Sequence, residues 1–208
     1  MLLHQEDYDT IVFLTKLVYC DVDGFYPKPF DKVVTIEKFS GLRMNIFDMD
    51  DYNLVVICGT NSLRDWISNF KVAFGLTPNQ YYDAYDYVIE QAWRKDTTKP
   101  IVVVGHSLGG GVAEFVASRI NCTCITFNGC GSKHIVDKRY RDDFKCINLV
   151  TSRDILNGIT RRIPFAKNYL QHCGETYIIR DTDGFFPLSV KSHSNFGCFS
   201  KVYIDELQ

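Results

Sequence analysis

The segment from residue 101 to residue 120 constrains the fold more than any other part of the chain. Residues 101–104 are apolar or β-branched without alternation, a pattern typical of a strand buried on both faces of a parallel sheet. The sequence Gly-His-Ser-Leu-Gly follows at residues 105–109, and apolar positions at helical spacing continue from Leu108 to Ile120. This order predicts a strand, a sharp turn carrying Ser107 and a helix in direct succession.

Strand and helix patterns alternate through the rest of the chain. Helices are predicted at Tyr8–Cys20 and Asn79–Arg94, and strands at Lys32–Phe39, Leu42–Phe47, Leu54–Cys58, Cys122–Phe127, Phe144–Val150 and Glu175–Ile179. The stretch from Asp154 to Cys173 is irregular and is expected to cover the site. Such alternation indicates an α/β fold with a mostly parallel central sheet flanked by helices. No repeat or linker divides the sequence, so we predict a single domain over residues 1–208.

Composition excludes several classes of protein. The chain has 208 residues, 46% hydrophobic and 23% charged, with a net charge of −2, so it lacks the basic excess of a nucleic-acid-binding protein. Acidic residues near the amino terminus and the lack of an apolar run of roughly 18 residues predict a cytoplasmic protein without an anchor. The Cys122/Cys124 pair lacks the second matched pair of a zinc site, so we expect no metal.

The serine motif becomes informative through its context. Composition alone produces G-x-S-x-G by chance in roughly one of 15 chains of this length. A nucleophile on a strained turn between strand and helix, however, requires neighbours without side chains, and Gly105 and Gly109 provide them. A phosphate-binding glycine loop is the alternative, but no lysine follows as a P-loop requires. We interpret Ser107 as a catalytic nucleophile.

A second segment supports this interpretation through a family resemblance. Residues 105–110, preceded by Gly-Thr-Asn-Ser-Leu-Arg-Asp-Trp at residues 59–66, resemble the class 3 lipases, the group that contains the fungal triacylglycerol lipases. The similarity continues through residues 126–129 and 152–156. It implies an α/β-hydrolase fold, no cofactor, and hydrolysis of acylglycerols, phospholipids or related esters. The chain departs from the family at Cys58, where members commonly carry arginine, and it is short for the family.

Donors for an oxyanion hole are expected from two places. In the α/β-hydrolase fold one donor is the backbone N–H after the nucleophile, here that of Leu108, and a second comes from a loop after an earlier strand. Thr60 follows the predicted strand Leu54–Cys58 and matches the oxyanion residue of the class 3 lipases. The alternative is that residues 59–61 form only a turn.

A candidate lid follows the oxyanion loop. Leu63, Trp66, Ile67 and Phe70 form an apolar stripe at helical spacing. In the class 3 lipases the matching segment is a lid over the active site. A helix packed permanently on the core would show the same periodicity, so both interpretations stay open.

The acid and the base are inferred from chain order, which in α/β-hydrolases is serine, acid, histidine. Asp154 lies just past the end of a predicted strand, where catalytic groups of open α/β sheets collect, and Asp181 and Asp183 are the reserve candidates. Of the histidines that follow, His193 lies in a late polar loop, where the class 3 lipases place their base. His172 precedes the last strand and is interpreted as a hydrogen-bonded structural histidine.

The sequence thus predicts a lipase-like carboxylic ester hydrolase with a triad of Ser107, Asp154 and His193. Its expected substrates are acylglycerols or other lipid esters, met through transient contact with a membrane or lipid-droplet surface, and nucleic acid is not expected as a partner. A short-chain esterase or thioesterase and a phospholipase are the catalytic alternatives. An interaction protein that keeps a lipase-like scaffold is the noncatalytic one.

Overall fold

The computed structural model of the chain describes residues 4–19, 31–37, 43–58, 78–95, 98–162, 171–181 and 190–202. Its strands are β1 (Asp31–Glu37), β2 (Arg43–Asp48), β3 (Asn53–Cys58), β4 (Ile101–His106), β5 (Thr123–Phe127), β6 (Cys146–Thr151) and β7 (Glu175–Ile179). Its helices are α1 (Gln5–Tyr19), α2 (Pro78–Lys95), α3 (Leu108–Ile120), α4 (Ile155–Arg162) and α5 (Val190–His193). Short 3-10 turns lie at Lys138–Tyr140 and Phe199–Lys201.

The strands form one sheet in chain order from β1 to β7. The pairs β1/β2 and β2/β3 are antiparallel, and the strands from β3 to β7 are parallel. In the parallel part, Val103 of β4 lies opposite Val55 of β3 and Cys124 of β5. The carboxyl ends of β4, β5 and β6 therefore meet at one edge of the sheet, where active sites of α/β folds form. The predicted mostly parallel sheet flanked by helices is confirmed.

Both faces of the parallel strands are covered. Val102 and Val104 of β4 belong to a core shared with α1 and with Phe199, whereas Val103 belongs to a second core shared with α2 and α3. All three valines are 0% exposed. This two-sided burial is the reason that residues 101–104 are apolar without alternation.

Two segments differ from the expectation. The stretch from Asp154 to Cys173, predicted to be irregular, begins with α4, and the Asn-Gly pair at residues 157–158 hid this helix because both residues are poor helix formers. Asp154 starts the helix as an N-cap would, since its Oδ1 accepts the N–H of Asn157 at 2.8 Å. His193, predicted in a polar loop, ends the single-turn helix α5 and is 0% exposed. The expectation of irregular structure was therefore wrong at residues 155–162 and 190–193.

Candidate active site

Ser107 occupies a strained turn between β4 and α3. Its φ of 58° and ψ of −128° lie where residues with a side chain are rarely found. The turn is held by its own backbone, because the carbonyl of Ser107 accepts the N–H of Gly110 at 3.0 Å and that of Cys130 at 2.8 Å. A strained serine between a buried strand and a helix is the geometry of a nucleophile elbow.

The glycines on either side of Ser107 are required by close backbone contacts. A Cβ atom on Gly105 would lie 2.2 Å from the carbonyl oxygen of Gly109. A Cβ atom on Gly109 would lie 2.3 Å from the carbonyl oxygen of Ile57 in β3. Side chains at either position would push α3 away from the sheet, so the glycines of G-x-S-x-G have a steric cause in this chain.

The expected oxyanion donors lie only partly within the described residues. Leu108 is the first residue of α3, so its N–H has no acceptor within the helix, and its role as an oxyanion donor stays a prediction. Thr60, the second expected donor, lies outside the described residues. The candidate lid residues also lie outside them, namely Leu63, Trp66, Ile67 and Phe70. The roles of Thr60 and of the lid stay predictions.

Asp154 and His193 form a buried pair. Nδ1 of His193 contacts Oδ2 of Asp154 in a short hydrogen bond, and both side chains are 0% exposed. The other carboxylate oxygen, Oδ1, accepts the backbone N–H and the side-chain Nδ2 of Asn157, each at 2.8 Å. Because an ionised carboxylate only accepts, Nδ1 of His193 carries the proton, and in the neutral ring Nε2 then holds a lone pair.

That Nε2 atom is buried and has no hydrogen-bond partner among the described residues. A buried acceptor left without a donor costs about 1 to 3 kcal/mol. The ring of His193 lies 4.9 Å from the ring of His106, the residue directly before Ser107 in the chain. Nε2 of His193 therefore makes no hydrogen bond to the hydroxyl of Ser107 in this structure, although its ring packs against the residue that precedes the serine.

The backbone of His193 is clamped from two sides. Its carbonyl accepts Nδ2 of Asn128 at 2.9 Å and lies 2.9 Å from Nε2 of His106. A carbonyl oxygen cannot donate, so Nε2 is the protonated nitrogen of His106. Asn128 also donates to the carbonyl of Ser192 at 3.2 Å. These contacts fix the end of α5 against the carboxyl ends of β4 and β5.

Asn128 has a further role at this edge of the sheet. It adopts a left-handed conformation, with φ 45°, directly after β5. Its Oδ1 accepts the N–H of Thr151 at 2.8 Å and lies 3.1 Å from the Thr151 hydroxyl, at the end of β6. One side chain therefore ties together β5, β6 and the segment that carries His193.

Asp181, one of the two reserve acids, has no hydrogen bond to His193 among the described residues. Asp181 is buried after β7, where its N–H donates to Oγ of Ser152 at 3.2 Å and its Oδ1 lies 3.6 Å from Sγ of Cys198. Asp183 lies outside the described residues. Of the candidate acids that the structure describes, Asp154 is the one that it brings to His193.

Burial shifts the ionisation of the groups around His193. Burial alone would raise the pKa of Asp154, but the charge and hydrogen bond of His193 and the donors of Asn157 together lower it. Burial, followed by the nearby charge of His193, lowers the pKa of His106 to about 3. Asp154 is therefore ionised and His106 is neutral near neutral pH.

His172 lies in a second buried polar group. Its Nδ1 is 2.6 Å from Oε1 of Glu114, a 0% exposed carboxylate in the middle of α3. Its Nε2 lies 3.3 Å from Oδ1 of Asn157, the residue that also donates to Asp154. Sequence reasoning missed Glu114, Asn157 and Asn128. The one feature of the sequence that could have indicated any of them was Glu114, a lone carboxylate inside the apolar helix Leu108–Ile120.

Sequence comparison relates the chain to phospholipases. Residues 26–142, more than half of the chain, match the family profile described as "Phospholipase-like: Tle-like phospholipase domain". Among curated proteins, the "Extracellular phospholipase A1" of Serratia liquefaciens is 34% identical over 92 residues, which are 44% of this chain and 28% of that protein. The chain thus spans less than a third of the length of this relative.

Solved structures share the fold. The Rhizomucor miehei lipase in its propeptide complex superposes with a TM-score of 0.62 at 17% identity, covering 100% of this chain and 81% of that chain. The lipase of Rhizopus microsporus var. chinensis gives a TM-score of 0.65 at 17% identity, covering 92% of this chain and 81% of that chain. These likenesses confirm the α/β-hydrolase fold and the resemblance to fungal class 3 lipases.

The expected location has less support. None of the described helices is long and apolar enough to cross a bilayer. The curated relative is itself described as extracellular, so the expectation of a cytoplasmic protein finds no support there. Within the described residues, no three His, Cys, Asp or Glu side chains are grouped so that they could hold a metal ion.

Proposed function

Because the chain belongs to the Tle-like phospholipase family, we propose that it is a lipid ester hydrolase that works through an acyl-enzyme on Ser107. One observation carries the proposal. A buried histidine, His193, has one nitrogen on the carboxylate of Asp154 and the other buried without a partner among the described residues, and its ring lies 4.9 Å from that of His106, which directly precedes Ser107. An unsatisfied buried acceptor lowers the stability of the fold. Such an acceptor is expected where a general base has to receive a proton during the reaction.

In the proposed reaction the hydroxyl oxygen of Ser107 attacks the ester carbonyl carbon while its proton passes to Nε2 of His193. Asp154 holds the proton on Nδ1 and stabilises the imidazolium that forms. The tetrahedral oxyanion is bound by the N–H of Leu108 and, as the family resemblance implies, by Thr60. When the oxyanion collapses, the alcohol leaves with the proton from Nε2, and the acyl group stays on Ser107.

Deacylation repeats these steps with water. His193 takes a proton from a water molecule whose oxygen attacks the acyl carbonyl carbon. Collapse of the second tetrahedral intermediate breaks the bond to Oγ, returns the proton to Ser107 and releases a carboxylic acid. The cycle needs no cofactor, in agreement with what the resemblance to class 3 lipases implies.

Phospholipids are the more specific candidate substrates. The matching family is described as phospholipase-like, and the curated relative is described as a phospholipase A1. Both descriptions favour a glycerophospholipid ester over a triacylglycerol, although two of the solved neighbours are described as a triacylglyceride lipase and a triacylglycerol lipase. We therefore propose that the purified chain releases fatty acid from phospholipid vesicles through transient contact with their surface.

The substrate proposal is tested with a panel of esters. Fatty-acid release is measured from phosphatidylcholine vesicles, from a trioleoylglycerol emulsion and from a dissolved butyrate ester, with the Ser107→Ala variant as the matched control. We expect the highest turnover on vesicles and none in the control. Faster hydrolysis of the dissolved ester would identify a short-chain esterase. A folded protein that hydrolyses none of the esters would support a noncatalytic interaction protein.

A further inference from the structure

We propose that His172, held by Glu114, is a positioning residue that sets the orientation of the Asp154 carboxylate through the side chain of Asn157. The proposal rests on the proposed function, since Asp154 matters as the partner of His193. These groups form a continuous buried chain from the middle of α3 to the base. It runs from Glu114 to His172 at 2.6 Å, from His172 to Asn157 at 3.3 Å, and from Asn157 to Asp154 at 2.8 Å.

The donors and acceptors of this chain have one consistent direction. Nδ2 of Asn157 donates to Asp154, so Oδ1 of the same amide faces Nε2 of His172. An amide oxygen only accepts, and Nε2 of His172 must therefore carry a proton. The amide of Asn157 is thus fixed in one of its two flipped states by a donor, Nε2 of His172, on its oxygen and by an acceptor, Oδ1 of Asp154, on its nitrogen.

Glu114 explains why His172 can hold this proton. Oε2 of Glu114 accepts the N–H of Ser132 at 2.8 Å and that of Cys173 at 3.3 Å, and it lies 2.9 Å from the hydroxyl of Ser132. Oε1 of the same carboxyl group lies 2.6 Å from Nδ1 of His172, so Glu114 occupies that nitrogen of the ring. Because Nδ1 faces Glu114, Nε2 is the nitrogen that presents a proton to Asn157.

The consequence for catalysis lies in the rotation of the Asp154 carboxyl group. Oδ1 is held by the backbone N–H and the Nδ2 of Asn157, which aims Oδ2 at Nδ1 of His193. If His172 no longer holds Oδ1 of Asn157, the amide loses that restraint, and its plane can turn about the contacts of Nδ2 with Oδ1 of Asp154 at 2.8 Å and with the carbonyl of Gly129 at 3.4 Å. The Asp154 carboxylate would turn with it, and His193 would lose its alignment with the serine.

Four variants separate positioning from mere stability. His172→Leu removes the donor to Asn157, His172→Gln keeps an N–H near the position of Nε2, and Asn157→Ala removes the linking amide. Ser132→Ala is the matched control, because it removes a hydrogen bond from the far oxygen of Glu114 without touching Asn157. Melting temperature and circular dichroism identify variants that have lost the fold.

Turnover and substrate binding are expected to respond differently. We expect His172→Leu to lower kcat about tenfold with KM changed less than twofold, which is the rate effect of one lost hydrogen bond. His172→Gln is expected to recover most of kcat, and Ser132→Ala to lower the melting temperature only. The double variant Asn157→Ala/His172→Leu is expected to be no slower than Asn157→Ala, because both substitutions interrupt the same connection between His172 and Asp154. Multiplying losses, or an unchanged kcat in His172→Leu, would overturn the proposal.

A spectroscopic readout tests the proposal without turnover. The proton on Nδ1 of His193, in its hydrogen bond to Asp154, is expected to give a far-downfield proton resonance in the ligand-free protein. We expect this resonance to move in the same direction in His172→Leu and Asn157→Ala and to stay in place in His172→Gln and Ser132→Ala. If His172→Leu does not fold, Asn157→Ala and His172→Gln carry the test. An unmoved resonance in folded Asn157→Ala refutes positioning, whereas a folded wild type that hydrolyses no ester refutes only the proposed function.

Discussion

The pH dependence of stability is expected to be dominated between pH 7 and pH 5 by His106. This residue is 3% exposed, and burial followed by the charge of His193 lowers its pKa from 6.5 to about 3. The fold therefore favours the neutral ring. The stability contributed by that preference is fully present above pH 6.5 and is lost as the pH falls from 6.5 toward 3.

The magnitude follows from the interval between the two pKa values. Each pH unit below 6.5 lowers the free energy of unfolding by about 1.4 kcal/mol until the pKa of His106 in the folded state is reached. The free energy of unfolding should thus fall by about 2 kcal/mol between pH 7 and pH 5 through this residue alone. His106→Gln keeps a donor for the carbonyl of His193 but cannot be protonated, so it removes this dependence.

Urea unfolding at pH 7 and pH 5 measures the effect. The free energy of unfolding of the wild type should fall by about 2 kcal/mol more than that of His106→Gln over this range. His4→Gln, which changes an exposed histidine, is the matched control and should follow the wild type. If wild type and His106→Gln lost stability in parallel, the burial of a neutral His106 would be refuted.

Substitutions at three further positions test the proposed site and the candidate lid. Asn128→Ala should lower kcat about tenfold and the free energy of unfolding by about 1 to 3 kcal/mol, since it removes the hydrogen bond that holds the carbonyl of His193. Asn128→Gly, which adopts the left-handed backbone conformation without strain, should regain stability but not kcat. His193→Ala should lower turnover about a thousandfold or more. It should also reduce the free energy of unfolding by about 3 kcal/mol, because the buried Asp154 carboxylate loses its histidine partner. A stable and active variant would contradict the proposed base. Trp66→Ala should lower hydrolysis of aggregated lipid more than that of a dissolved ester, and equal losses with a lower melting temperature would indicate a core residue instead of a lid.

The parts of the fold that could be predicted from sequence are those with local causes. The succession of β4, the serine turn and α3 is visible because buried strands, close backbone contacts and helical spacing each leave a pattern in neighbouring residues. The bounds of β7 and α3 were predicted as the structure has them. Asp154 could be singled out because parallel strands deliver their following residues to one edge.

The polar contacts beyond the serine turn have no such local signature. Glu114 and His172 are separated by 58 positions, and their contact depends on how the segment before β7 packs against α3. The burial of His193 was hidden in the same way, since its flanking residues in sequence are polar and its contacts come from Asn128 and His106. Helix α4 was missed because an N-cap and tertiary packing override the weak propensity of Asn157 and Gly158.

Labelling by a fluorophosphonate, which reacts with activated serines, followed by mass spectrometry of the modified peptide tests most directly whether Ser107 is the nucleophile. We expect a single modification at Ser107 in the wild type and none in Ser107→Ala, with the two proteins unfolding at the same temperature. Labelling that persists in Ser107→Ala, or a folded wild type that is not labelled at Ser107, would contradict the assignment of this serine as the nucleophile.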